Sequence, residues 1–102
     1  MSEHFNKLTP AEAERLAILA EEMGEAIQVV GKILRHGYES YHPDNPQVTN
    51  RHLLEKELGD VRYSMINLCD KGDLFKSTIH KFADSKKLKI NQYLHHQGDN
   101  HE

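Results

Sequence analysis

Apolar residues recur along this chain at steps of three and four, and no stretch alternates in the two-residue rhythm of a strand. Leu16, Leu19, Met23, Ile27, Val30 and Leu34 form one such series. That spacing puts them on one side of a helix. The segment TPAE at residues 9–12 supplies a start signal, with Thr9 as the cap, Pro10 in the first helical position and Glu12 as the reciprocal partner of a capping box. Gly37 follows His36 and suits a left-handed terminator. A long helix is therefore expected over 10–36, after a flexible start at 1–9. Gly24 and Gly31 lie inside it, and close approach of a neighbouring backbone is the expected reason for them.

Residues 37–50, GYESYHPDNPQVTN, hold two prolines and no helical period. This segment reads as a loop, and its length marks it as a functional candidate. Thr49 or Asn50 then caps a second helix over 51–70, which carries Leu53, Leu54, Leu58, Val61, Met65 and Leu68 and stops at Gly72. Asp73 is positioned to cap a C-terminal helical segment over 73–96, with a break possible near ADSKK at 83–87. A flexible tail is expected over 97–102. The expected fold is all-α: one domain, a small antiparallel bundle of about three or four helices.

Four acids stand where these helices should bury apolar surface. EEMGE at 21–25 holds Glu22 and Glu25; EKELGD at 55–60 holds Glu57 and Asp60. Each pair is three residues apart, so each pair shares one helix face. Ile18 and Val29 flank the first pair, and Leu53, Val61, Ser64 and Leu68 flank the second. Across an antiparallel bundle the four carboxylates would converge. Left bare they would repel, and desolvation would force protons onto some of them. A divalent cation resolves that conflict. Clustered oxygen donors suit Mg²⁺, or Mn²⁺ as a substitute, rather than Zn²⁺. E-x-x-E on a single helix is common as a solvated face, so the weight lies on the two pairs together.

Other chemistries fit less well. Eight histidines are scattered over positions 4, 36, 42, 52, 80, 95, 96 and 101, with no i, i+4 pair, and the one cysteine, Cys69, has no partner for zinc or for a disulfide. A lone thiol in an apolar run fits a reducing, cytoplasmic setting. No N-terminal apolar core of a signal peptide is visible, and no run is long and apolar enough for a membrane span. The net charge of −3 argues against nucleic-acid or anionic-membrane binding. The basic run KFADSKKLK reads as a solvated face. Ser64 and Ser77 have no evident base, so nucleophilic catalysis is not supported.

EEMGEAIQVVGKILRHG and LLEKELGDVRYSMINL resemble the characteristic helices of the MazG-like, all-α nucleoside triphosphate pyrophosphohydrolases. The resemblance spans about residues 16–93. It implies Mg²⁺-dependent hydrolysis of an NTP or dNTP between its α and β phosphates, giving the monophosphate and pyrophosphate. It also implies that Glu22, Glu25, Glu57 and Asp60 are metal ligands, and that Glu21, beside Glu22, orients or activates water or binds a further ion. On the last helix it implies substrate binding by Lys87 and Asn91, with Lys86 and Lys89 as neighbours able to substitute. The family's arginine after that pair is replaced here by Leu94 or His95, and the loop at 37–50 is long for the family. Tyr38, Tyr41 and His42 are candidates in that loop for stacking on a base.

Tyr63, Met65, Ile66 and Cys69 spread apolar surface around the second helix. More surface is apolar than a three-helix bundle needs, so a homodimer or homotetramer is expected. Two other functions are open to the same residues. One is a non-catalytic helical adaptor whose acids serve salt bridges; the other is an enzyme acting on a different phosphoanhydride, such as phosphoribosyl-ATP.

Overall fold

The computed structural model describes residues 5–97. Calls that fall on residues 1–4 and 98–102, including His4 and His101, lie outside it. Three α-helices and one 3-10 turn follow in order: α1 Pro10–His36, α2 Asn50–Asp70, α3 Lys76–Lys89, then the 3-10 turn Ile90–Tyr93. The all-helical expectation holds. None of these helices is long and apolar enough to cross a membrane.

The ends of α1 and α2 follow from local chemistry. The Glu12 amide donates to Thr9 Oγ1 at 3.1 Å, and the Thr9 amide donates to Glu12 Oε1 at 2.8 Å, a complete capping box. Thr49 caps α2 by accepting from the His52 amide, which leaves Asn50 as the first helical residue rather than the cap. At the far end of α2, the Asp73 amide reaches the Leu68 carbonyl and the Gly72 amide reaches the Cys69 carbonyl. With Gly72 at φ 84°, this is a Schellman ending. Gly37 also has positive φ, 91°, but its ψ of 166° is extended and not left-handed helical as expected. Only glycine occupies that region without strain.

The helix seam differs from the expected apolar stripe. α1 and α2 pack along one another, whereas α3 packs on the 3-10 turn and not along the pair. On α1 the seam runs through Arg15, Leu19, Glu22, Ala26, Val29 and Ile33, all half-buried or buried. The greasier series Leu16, Met23, Ile27, Val30 and Leu34 lies on the adjacent face and is exposed, Leu34 to 82 %. On α2 the seam runs through Asn50, Leu53, Glu57, Val61, Ser64 and Leu68, with Leu68 only 1 % exposed. Both acid pairs therefore begin in the α1–α2 seam, and the apolar stripe beside it is left partly or largely exposed among the described residues.

Several local expectations fail for physical reasons. Asp73 does not cap α3: its carboxylate takes a two-pronged ion pair from Arg15, 58 positions away, at 2.7 and 3.0 Å. That clip ties the start of α1 to the end of α2 and holds the pair antiparallel. α3 consequently begins at Lys76, behind Phe75, with no side-chain cap. ADSKK lies within continuous helix, because nothing in it removes a backbone donor; the helix instead tightens to 3-10 geometry at Ile90 and ends at Tyr93. Gly24 meets no neighbouring backbone, and Gly31 meets only Arg35 Nη1 of its own helix at 3.4 Å.

Candidate functional site

The middle of the α1–α2 seam is acidic. Glu22 and Glu25 come from successive turns of α1, and Glu57 faces them from α2. One carboxylate oxygen of each lies within 4.8 Å of the others, and all three residues are half-buried. Helical spacing alone puts Glu22 and Glu25 side by side; the packing of Leu53 and Val61 against α1 carries Glu57 to them.

The electrostatics are those of a crowded cluster. The Glu22 carboxyl is held above its ordinary range, first by a hydrogen bond with Glu25, then by desolvation, then by the negative charges of Glu25, Asp60 and Glu21. The Glu57 Oε1 is buried and accepts no hydrogen bond; with Ser64 Oγ it is one of two such side-chain atoms among the described residues. Lys56 Nζ stands 3.8 Å from that oxygen, beyond hydrogen-bond distance.

Asp60 stands slightly apart from the three glutamates. It is near enough to push Glu22 up, yet its carboxylate is bonded to Lys56 one turn earlier, at 3.0 Å. Lys56 is held more firmly protonated by Asp60 first, then by Glu57 and Glu25. This lysine was missed in reading the sequence. Its i, i+4 spacing to Asp60 was the available signal. Glu21 is exposed on the flank of α1, next to the cluster but outside it.

The donor set is chemically coherent for a hard cation. It offers carboxylate oxygens only, from two helices, with one buried oxygen that accepts no hydrogen bond. Three carboxylates together do not by themselves identify an ion. Lys86, Lys87, Lys89 and Asn91 are exposed on α3 and the 3-10 turn, away from the α1–α2 seam.

Two turns along the same seam, where α1 ends and α2 begins, the loop folds over to form a groove of about 380 Å³. The loop is ordered by its own bonds. The Asn50 amide donates to the Ser40 carbonyl, the Arg51 amide to the Tyr38 carbonyl, and Asn50 Nδ2 to the Gly37 carbonyl. Tyr41 pairs with Thr49 in a single antiparallel bridge. Tyr41 and His42 line the groove, but Tyr38 does not. The Arg51 guanidinium covers the Tyr38 ring at 4.3 Å and is itself bonded to Glu39. One face of the Tyr38 ring is thus taken by Arg51, while the residue remains 48 % exposed. Comparison with protein-family models, with curated proteins and with solved structures gave no match.

Proposed function

We propose that this chain is a divalent-cation-dependent nucleotide pyrophosphohydrolase of the MazG-like kind, cleaving an NTP or dNTP between the α and β phosphates. The observation that carries this reading is the meeting of Glu22, Glu25 and Glu57 within 4.8 Å, with a buried Glu57 oxygen that accepts no hydrogen bond. Glu22, Glu25 and Glu57 would hold Mg²⁺ or Mn²⁺, with Asp60 joining them when it leaves Lys56. The ion would supply charge neutralisation for the triphosphate and a bound water of lowered pKa.

The chain's own residues have distinct tasks in this reaction. A water oxygen bonds to phosphorus, the bridging P–O bond breaks, and pyrophosphate leaves with the electron pair. The water's proton passes to a carboxylate, and Glu21, exposed beside Glu22, is the acceptor proposed here. Lys56, released from Asp60, is placed to face phosphate oxygens. Lys87 and Asn91, with Lys86 and Lys89, lie on α3. They would reach a substrate through the packing of a second copy, which the open apolar stripe on α1 and the unburied α3 also favour. A homodimer or homotetramer is therefore part of the proposal.

The test is hydrolysis of a panel of NTPs and dNTPs with Mg²⁺, pyrophosphate and phosphate being detected separately. Pyrophosphate release is expected. Glu22→Gln and Asp60→Asn should each lower it at least about a hundredfold while circular dichroism stays helical. Full hydrolysis in either variant would sink the assignment.

The exposed stripe also fits a helical adaptor without catalysis. In that case no member of the panel would be hydrolysed.

A further inference from the structure

The apolar stripe beside the seam on α1 has the form of a helix-pairing face. Leu16, Ala20, Met23, Ile27, Val30 and Leu34 follow one another at alternating steps of four and three. That is the spacing of the core positions of a coiled coil. All six are exposed, Ile27 to 70 %. On one side of the stripe lies the seam with α2, through Leu19, Ala26 and Ile33. On the other lie Ala17, Gly24 and Gly31, seven residues apart and so on one line along the helix.

The two glycines have no account within the chain. Glycine weakens a helix interior relative to alanine. A Cβ at Gly24 would meet nothing within 4 Å, and one at Gly31 would meet only the flexible Arg35 side chain. No neighbour among the described residues requires either position to be small. A second backbone lying against this line would require it.

Charge selects the occupant and its direction. Beyond the small line runs a third row, Glu14, Glu21, Gln28 and Arg35, also seven apart and all exposed. The row is acidic early in α1 and basic at its end. Among the described residues neither Glu14 nor Arg35 stands in an ion pair. A parallel copy of α1 would set like charges side by side. An antiparallel copy sets Glu14 against the partner's Arg35, and Arg35 against the partner's Glu14. The same register sets Leu16 against the partner's Leu34, Ala20 against the partner's Val30 and Met23 against the partner's Ile27. Each contact then occurs twice, as a twofold axis requires.

We propose that the chain pairs with a second copy of itself through α1, antiparallel, about a twofold axis beside Gly24. The exposed stripe is covered by its own counterpart, and the glycines let the two backbones come close at the axis. The acid cluster lies in the seam with α2, on another face of α1. The inference shares with the proposed function the existence of a second copy and takes nothing from the hydrolysis.

The experiment is sedimentation of the full chain over a concentration series, joined to spin-label distances on a Cys69→Ser background. Self-association is expected, and Ile27→Glu should weaken it at least about a hundredfold. Gly24→Leu should weaken it about tenfold. The dilute Gly24→Leu protein should melt no lower than the parent, since that position is open within the chain. Glu14→Lys should weaken association about fivefold, and Glu14→Lys/Arg35→Glu should restore it. Labels at Gln28→Cys should lie about 9 Å apart along the axis, and labels at Ala11→Cys about 42 Å apart. A chain that stays monomeric, association that survives Ile27→Glu or Gly24→Leu, or equal label distances at the two positions would overturn the interface. Pyrophosphate release from the same samples separates the two readings. A monomer that hydrolyses sinks the interface alone; an α1-paired dimer that hydrolyses no triphosphate sinks the hydrolase alone.

Discussion

The α1–α2 pair and the segment after it are both helical, yet they end in different states. The pair has two side-chain caps, a Schellman ending, a bidentate clip and a continuous seam. α3 has no side-chain cap, buries no residue and leaves Phe82 and Leu88 at 68 % and 84 % exposure. α3 is the least apolar and least amphipathic of the three helices. It also meets no second surface among the described residues that receives it, as α2 receives α1. Most helical stability comes from packing an amphipathic face rather than from propensity, and α3 draws little such packing from the described residues.

The sharpest way to break that contrast is a pair of alanine substitutions. Leu68→Ala removes the most buried side chain of the seam and should cost about 2–5 kcal/mol in urea unfolding. Leu88→Ala, on the exposed face of α3, should stay within about 0.5 kcal/mol at low protein concentration. At high concentration it should also weaken the proposed self-association in sedimentation, if that association uses the exposed face of α3. Equal losses from the two substitutions in dilute solution would show that α3 is packed within the chain after all.

A smaller effect distinguishes the two charged features of the pair itself. Glu22 is held above its ordinary range, so the folded chain binds more protons than the unfolded one in the window just above that range. The metal-free protein should therefore lose stability as pH rises from about 4.5 through the folded value, then level off. Asp73 is held below its ordinary range by Arg15. Its contribution should be complete above about pH 4 and should vanish as pH falls through the lower folded value. Thermal melts across this range should show the first slope disappear in Glu22→Gln and the second in Asp73→Asn. If Glu22→Gln leaves the first slope in place, the acids are not crowded in solution.

The parts of the fold that were legible in the sequence are the ones fixed by residues close together in the chain. Thr9, Pro10 and Glu12 announce the start of α1, Thr49 and Gly72 bound α2, and the prolines mark the loop. The pairing of Glu22 with Glu25 also follows from spacing alone. The rest required long-range geometry. Two apolar series on α1 have helical spacing, and only the shape of α2 decides that Leu19, Ala26 and Val29 enter the seam while Ile27 and Leu34 stay outside. Asp73 has the right position to cap α3, but Arg15 claims it across the fold. Lys56 was legible as a neighbour of Asp60 but not as the cation facing the whole acid cluster.

The measurement closest to the centre of this reading is calorimetric titration of Mg²⁺ and Mn²⁺ into the full chain with a non-hydrolysable nucleoside triphosphate present. A saturable heat is expected. It should vanish in Glu57→Gln. Absence of heat at millimolar ion, or an unchanged heat in Glu57→Gln, would contradict a cation site between α1 and α2.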